Sequence, residues 1–309
     1  MSIVTSAPAD CRSPSSNAIR VSLAARLSNY RELSKPRIVT MVLVTTGVGY
    51  ISGCRGSIDP VVFLATMFGT AAFAASASVL NQSMEWRRDA RMRRTLGRPI
   101  PSGRTTVAES VVVGLVLLAT GSLSLLGFAP VPAFLCAAAT WLLYLAAYTP
   151  LKPISSINTV VGAVPGALPP VIGWAAATGS VGVEAIALFL ILFLWQFPHF
   201  LAIAWLHRED YRRGGYRMIT HRDPSGWITS LQSLGYASVL LPVSILPFRL
   251  GMAGSIYLVA ALALSLHYWV RCLDFVRRRD DRSARRMLYA SLYYLPLIYL
   301  FLILNPLPA

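Results

Sequence analysis

Three oxygen-bearing side chains follow one another at four-residue intervals in the stretch LNQSMEWRRDARMRRTLGRPIPSGR, residues 80–104. They are Asn81, Glu85 and Asp89, and this spacing keeps them on one face of a helix over about 12 Å. An amide and two carboxylates suit Mg²⁺, which bridges protein carboxylates and substrate phosphates. The alternative is an interfacial helix end whose carboxylates are neutralised by neighbouring arginines. We therefore predict a magnesium site at these three residues, which are also candidate catalytic groups.

The same stretch carries seven arginines, and some of them are candidates for binding phosphate oxygens. A guanidinium group binds phosphate through paired, charge-assisted hydrogen bonds. Arg98 is the most attractive of these because the prolines of RPIPSGR stiffen its loop. Arg88 and Arg94 are the other two that we assign to substrate binding.

A second polar group follows a later apolar run, in LWQFPHFLAIAWLHREDYRRGGYRMI, residues 194–219. An ionisable residue such as His199 within a membrane span is a functional-site candidate, although a hydrogen-bonded interior histidine is the alternative. Asp210 lies 11 residues later, about three turns, and shares its face if the helix continues past Pro198. We predict catalytic roles for His199 and Asp210, and substrate contacts for Arg208 and Glu209.

The segment between these two groups, YLAAYTPLKPISSINTVVGAVPGALPPVIGW, begins with Tyr148 and Lys152 within its first turns. Both are predicted substrate contacts at the end of a span. The prolines and glycines that follow should interrupt the next span. Interrupted membrane helices line a cavity or are buried in protein, whereas close packing through small residues is an equally acceptable explanation.

The elements that position these groups are membrane helices. The chain has 309 residues, of which 55% are hydrophobic and 13% charged, with a mean hydropathy of +0.57. Its apolar runs reach the length of about 17–25 residues that crosses a bilayer as a helix. The predicted fold is all-α and polytopic, with nine spans at 38–54, 60–83, 107–127, 131–149, 156–178, 182–206, 227–249, 251–272 and 287–305.

The distribution of positive charge fixes the predicted orientation. Of the 28 lysines and arginines, 26 lie towards one side of these spans, and only Arg55 and Arg249 lie on the other. Because positive residues collect in cytoplasmic loops, this places the N-terminus inside. It also explains the net charge of +15 without nucleic acid. We predict a disordered cytoplasmic tail at 1–30 and a transmembrane domain at 31–309.

The predicted location is the cytoplasmic membrane of a bacterium. The Ser-, Ala- and Arg-rich N-terminus also resembles a transit peptide, so the mitochondrial inner membrane is the alternative. The four cysteines are scattered, and they form neither a zinc motif nor a disulfide framework.

Taken together, the three quoted blocks resemble the UbiA superfamily of intramembrane prenyltransferases, over roughly residues 30–305. The resemblance implies nine helices around a central cavity and Mg²⁺ bound through the first block. Two departures stand out: Glu85 replaces the usual aspartate, and only Asp210, beside Glu209, remains of a second aspartate pair. The second departure is typical of the heme-modifying branch.

That branch implies a reaction in which farnesyl diphosphate and heme B give heme O and pyrophosphate. It also implies the lipid bilayer as environment, with a heme A synthase or a terminal oxidase assembly as a downstream partner. The alternative enzyme acts on a 4-hydroxybenzoate or quinone precursor. A transporter, which would also have interrupted helices and intramembrane charges, is the alternative from a different class.

Overall fold

The computed structural model describes residues 23–54 and 56–307, and all regular elements in these ranges are helices. Nine helices of this part of the chain are long and apolar enough to cross a bilayer, which confirms the predicted fold class and number of spans. They are α2 (Pro36–Cys54), α3 (Pro60–Asp89), α4 (Val107–Phe128), α5 (Val131–Leu151), α6 (Asn158–Thr178), α7 (Val183–Leu206), α10 (Trp227–Arg249), α11 (Ser255–Arg278) and α12 (Asp281–Leu304). The shorter helices are α1 (Leu23–Leu33), α8 (Arg208–Arg213) and α9 (Ile219–Arg222).

The spans form two groups that meet along α6 and α7. In the first group α2 packs on α6, and α3 packs on α4; in the second, α7 packs on α10 and α12 while α11 packs between α10 and α12. Contacts between α12 and α2 join the groups on the other side. Because successive spans alternate in direction, residues 90–106, 207–226 and 279–280 lie at one end of the bundle, which we call the loop face.

The crossing of α2 and α6 is close enough to require glycine on both helices. A Cβ added to Gly49 would lie 1.9 Å from the carbonyl oxygen of Pro170, and one added to Gly173 would lie 1.9 Å from that of Thr46. Small residues at such a crossing let two helix backbones approach each other in a membrane. This contact fixes α2 in the bundle, and it thereby places the loop-face end of α2 beside the polar site.

Two spans depart from regular α-helix near the site. The predicted interruption of α6 is confirmed, because its halves Asn158–Ala167 and Pro169–Thr178 meet at Leu168. The end of α5 is π-helical over Leu143–Tyr148, which the sequence pattern did not indicate. Such wide turns are frequent at functional sites, and this one carries two tyrosines towards the loop face.

Several predicted boundaries need correction. Residues 23–30, which we predicted to be disordered tail, belong to α1, because Leu33 is fully buried and Asn29 is hydrogen-bonded to Arg104 on both its amide atoms. The rest of the predicted tail, residues 1–22, lies outside the described residues. Helix α3 extends six residues past the predicted end of its membrane span at 83, to Asp89, and the three-residue ladder lies on one unbroken helix, as its spacing predicted.

Candidate active site

The predicted ladder on α3 is buried at the loop face. Asn81, Glu85 and Asp89 are 1%, 5% and 1% exposed. All three line one cavity of about 100 Å³. An unbroken helix with four-residue spacing accounts for this shared face. The arrangement expected from the sequence is therefore present, and its members are shielded from lipid.

Each member of the ladder has a partner from another part of the chain. Asp89 Oδ2 lies 2.6 Å from Arg98 Nη1, and Glu85 Oε1 lies 2.9 Å from Lys152 Nζ. The amide nitrogen of Asn81 donates to Thr149 Oγ1 at 2.9 Å. Buried carboxylates need such cationic partners because an isolated buried charge is very costly. Two separate segments, the loop after α3 and the end of α5, thus converge on the ladder.

The donor set fits a divalent cation that is shared with a phosphate ligand. Glu85 Oε1 is buried and receives no well-oriented hydrogen bond despite its short distance to Lys152. Within residues 23–54 and 56–307 there is no cluster of three His, Cys, Asp or Glu side chains that could hold a metal ion. Mg²⁺ commonly takes only one or two carboxylates and completes its shell with water and phosphate oxygens. Asn81, Glu85 and Asp89 are the residues that could supply such a partial shell.

Positive charge dominates the rest of the cavity lining. Lys35, Arg94, Arg98 and Lys152 face the two carboxylates there, which leaves two positive charges in excess when Lys35 is protonated. Burial, and to a smaller extent the nearby charges of Arg98 and Lys152, lower the pKa of Lys35 to about 7. A cavity of this composition is suited to a multiply charged anion such as a diphosphate.

Lys35 is the principal site residue that the sequence prediction missed. It precedes Pro36, the first residue of α2, and has a left-handed backbone with φ of 49°. The available signal was a lysine in SKPRI at the start of a span. We used that lysine only in the count of positive charges that sets the orientation of the spans. Its distance from α3 along the chain gave no reason to place it beside Glu85.

Four tyrosines form the aromatic part of the cavity wall, Tyr144, Tyr148, Tyr211 and Tyr216. Of these, only Tyr148 was predicted, and Lys152 Nζ lies 4.4 Å from its ring centroid. The guanidinium of Arg94 lies over the Tyr211 ring at 5.5 Å. Burial raises the pKa of Tyr216 well above its usual range, so this hydroxyl stays protonated and available as a donor.

The second predicted group is divided by a helix end. Helix α7 continues past Pro198, which is the condition that we set for His199 and Asp210 to share a face. However, the helix ends at Leu206, and His207 departs from helical geometry. Asp210 therefore lies on α8, and the face that we expected it to share with His199 does not form.

Besides His199, which is described below, four predicted side chains do not line the cavity. Arg208 pairs with Asp281 of α12 at 2.9 Å, and Glu209 pairs with Arg212 at 2.9 Å on the surface. Asp210 and Arg88 are half-buried outside the cavity lining. No contact described above gives these four a site role, and their assignments stay predictions.

His199 is held by a hydrogen bond that defines its tautomer. Its Nδ1 lies 2.7 Å from Ser291 Oγ, and this hydroxyl donates its only hydrogen to the Leu288 carbonyl at 2.5 Å. Ser291 must therefore accept from a protonated Nδ1. Nε2 then carries the free lone pair, and it has no hydrogen-bond partner in the described part of the chain.

The surroundings of His199 direct its ring towards the bundle interior. Trp195 stacks on the imidazole at 5.1 Å and donates its indole N–H to the Ser291 carbonyl, which marks the α12 side of α7. Gln196 donates to the Ala163 carbonyl and marks the α6 side. His199 is about 40° from Trp195 and about 60° from Gln196 around the helix, so it lies between these contacts.

His199 and Asn81 lie at similar depths. His199 precedes the last residue of α7 by seven positions, and Asn81 precedes the last residue of α3 by eight. Both helices end at the loop face, so a rise of 1.5 Å per residue places both side chains about 10–12 Å from it.

Comparison with known proteins identifies the family. The model of the UbiA prenyltransferase family matches residues 42–300. The chain belongs to this family. A relative from Solibacter usitatus, named protoheme IX farnesyltransferase, is 42% identical over 90% of this chain and 99% of its own length. A relative from Arabidopsis thaliana, named mitochondrial protoheme IX farnesyltransferase, is 38% identical over 89% of this chain and 64% of its own length.

Solved structures show the same UbiA fold at low sequence identity. A digeranylgeranylglyceryl phosphate synthase has a TM-score of 0.78 at 17% identity and covers 91% of this chain and 98% of its own. A UbiA homologue from Archaeoglobus fulgidus bound to GPP and Mg²⁺ has a TM-score of 0.66 at 14% identity, over 89% of this chain and 99% of its own. The predicted UbiA-like fold is thereby confirmed.

Proposed function

We propose that this chain transfers the farnesyl group of farnesyl diphosphate to a vinyl group of heme B, which gives heme O and pyrophosphate. The carrying observation is the buried α3 ladder facing four cationic side chains at the loop-face end of an apolar bundle. That geometry suits a prenyl diphosphate, whose charged head binds at the loop face while its chain lies among the helices. The acceptor is inferred from the names of the relatives.

Binding of the diphosphate is the task of the cationic lining. Arg98 and Lys152 are already close to Asp89 and Glu85, and Lys35 and Arg94 complete a ring of donors around the cavity. Mg²⁺ at Asn81, Glu85 and Asp89 would supply Lewis-acid stabilisation of the departing pyrophosphate. The solved homologue with bound GPP and Mg²⁺ supports this cofactor.

The reaction begins when the diphosphate separates from the farnesyl group. The allylic C–O bond breaks with its electron pair going to pyrophosphate, and the fixed cations stabilise the developing charge. The vinyl π electrons form the new C–C bond, and water supplies the hydroxyl and releases a proton. Tyr148, whose ring contacts the Lys152 ammonium group in this structure, is our candidate for stabilising the farnesyl cation through its π face.

His199 is assigned to the heme. Its neutral imidazole presents a free Nε2 lone pair towards the bundle interior at the depth of Asn81. Such a nitrogen is a common ligand for heme iron, and this role would orient the porphyrin edge towards the prenyl chain. An acid-base role uses the same lone pair, and the two are separated by the spectrum of bound heme.

The direct test is conversion of heme B by the purified chain. The protein is incubated with farnesyl diphosphate, heme B and Mg²⁺, and extracted hemes are analysed by mass spectrometry. A farnesylated hydroxyethyl heme is expected. Farnesylation of 4-hydroxybenzoate but not of heme would replace this proposal with the quinone-precursor alternative, and no turnover of either acceptor would refute both.

Location and orientation form a second part of the proposal. The charge distribution supports a loop face on the cytoplasmic side of a bacterial inner membrane, with the mitochondrial inner membrane as the alternative suggested by the Arabidopsis relative. Reporter fusions after residues 104 and 249 test this directly, since only the first should report the cytoplasm. Heme O would then be passed to a heme A synthase or an oxidase assembly, which co-purification checks.

A further inference from the structure

A row of polar side chains lies on the outer surface of the bundle, in the groove between α11 and α12. The groove faces lipid, since its Tyr289 and Tyr293 are 62% and 40% exposed. On α11 the spacing of four, three and four residues keeps the polar groups on one stripe. We call this row the polar seam, and its members are His267, Arg271, Asp274 and Arg278 of α11 with Arg286, Tyr289 and Tyr293 of α12.

The end of the seam at the loop face contains an aspartate that pairs with its arginines, whereas the deeper part contains no carboxylate. Asp274 lies 2.7 Å from Arg278 and 3.4 Å from Arg286. One turn deeper, Arg271 Nε donates to His267 Nε2 at 3.3 Å, and the Tyr293 hydroxyl is hydrogen-bonded to the same nitrogen. Over residues 23–54 and 56–307, no carboxylate lies within 4 Å of the Arg271 guanidinium.

The lack of a carboxylate partner for Arg271 is significant because of the position of this residue within the span. It lies seven residues before the end of α11, which places it about 10 Å inside the loop face. Unpaired charges within a span are rare and usually mark a functional partner. Arg271 Nε is engaged by His267, which is in turn hydrogen-bonded to Tyr293. Over the described residues no hydrogen bond engages the two terminal guanidinium nitrogens of Arg271, so these are the donors available to a ligand in the groove.

The composition of the groove identifies the chemistry of its occupant. Three arginines against one aspartate leave two positive charges in excess along the seam. The seam is flanked by exposed apolar side chains that would contact acyl chains, namely Leu266, Val270 and Leu292, which are 54%, 45% and 52% exposed. A basic groove between membrane helices that opens to lipid is suited to an acidic headgroup.

We propose that the polar seam binds the phosphate of an anionic phospholipid from the leaflet at the loop face. The phosphate pairs with the terminal nitrogens of Arg271, and the exposed Tyr289 hydroxyl offers a further hydrogen bond. The chains then lie along the apolar residues beside the seam. This site lies on the outer surface and shares no residue with the cavity on α3, so it is independent of the proposed reaction.

Native mass spectrometry of the full chain in detergent tests the proposal, with titrations of phosphatidylglycerol and phosphatidylcholine. The wild type should bind one phosphatidylglycerol with a preference of about tenfold or more, a factor that corresponds to one charge-assisted contact. Arg271→Gln should remove the preference. Arg277→Gln, which makes the same charge change on an exposed position of the same helix, should keep it.

Three outcomes would overturn the proposal. One is equal loss of preference in both arginine variants, which would mean that net charge alone attracts the lipid. Another is competition by inorganic phosphate as effective as that by phosphatidylglycerol, which would identify a free-anion site. If Arg271→Gln does not yield folded protein, Tyr293→Phe keeps the charge and removes the contact with His267; an unchanged preference in that variant would also refute the geometry.

Discussion

Replacing Ser291 by alanine tests whether the orientation of His199 matters for heme binding. The substitution leaves a protonated Nδ1 without an acceptor at a position where Ser291 is fully buried. An unsatisfied buried donor costs about 1–3 kcal/mol, and outer partners of metal-binding histidines typically contribute about 10–100-fold to affinity or activity. We therefore expect heme affinity and turnover to fall by about tenfold to a hundredfold.

The effect should be confined to heme. Ser291 lies on α12, away from the cavity on α3, so the KM for farnesyl diphosphate should remain that of the wild type. Heme B is titrated into purified protein without farnesyl diphosphate, and the Soret band reports axial ligation of the iron. His199→Ala defines the spectrum without the proposed ligand, and Ser291→Ala should give a weaker complex with part of that spectrum.

A matched control separates orientation from packing. Ser233 is also fully buried, and its hydroxyl donates only to Thr229 of its own helix at 2.8 Å. Ser233→Ala should leave heme affinity and spectrum unchanged. If Ser291→Ala matched the wild type while His199→Ala lost ligation, the role of Ser291 would be wrong. If His199→Ala itself bound heme with an unaltered spectrum, His199 would be a structural residue.

The diphosphate site leads to three further predictions. Asp89→Ala should lower turnover at least a hundredfold and abolish its dependence on Mg²⁺, as measured by chelation with EDTA; wild-type turnover in that variant would exclude the metal role. Lys35→Met should raise the KM for farnesyl diphosphate about tenfold, the effect of one charge-assisted contact, with Lys35→Arg as the control that retains it. Gly162→Ala would place a Cβ 2.5 Å from the Tyr148 ring and should lower thermal stability by about 1–3 kcal/mol together with kcat. Gly97→Ala, which meets nothing within 4 Å, should do neither.

Local spacing explains which site residues the sequence could predict. The Asn81, Glu85 and Asp89 ladder depends only on helical periodicity within one span, and the structure confirms its shared face. Tyr148 and Lys152 were also predictable, because they lie at the loop-face end of α5, which is the next span after α3 whose C-terminal end reaches that face. In each case a rule that depends only on residues close together in the sequence was sufficient to predict the site residue. The rule was helical periodicity for the ladder and proximity to the end of a span for Tyr148 and Lys152.

Tertiary contacts explain what the sequence could not show. Lys35 reaches the cavity because the glycine-mediated crossing of α2 and α6 fixes the end of α2 beside α3. Tyr144 is turned towards the cavity by a π-helical segment that has no simple sequence signature. Conversely, Arg208 was expected at the site, but the helix end at His207 directs it to Asp281 on α12.

The ion pairs of the cavity suggest how it can hold both a cation and an anion. Without ligand, each carboxylate is neutralised by one side chain, Asp89 by Arg98 and Glu85 by Lys152. A magnesium diphosphate brings both partners at once, so the carboxylates can turn to the metal while Arg98 and Lys152 turn to phosphate oxygens. No buried charge is left unpaired in either state, which avoids the large cost of an isolated charge. Replacing Glu85 by glutamine should therefore weaken Mg²⁺ binding and also leave Lys152 unpaired, whereas the double change with Lys152→Met should recover stability but not turnover.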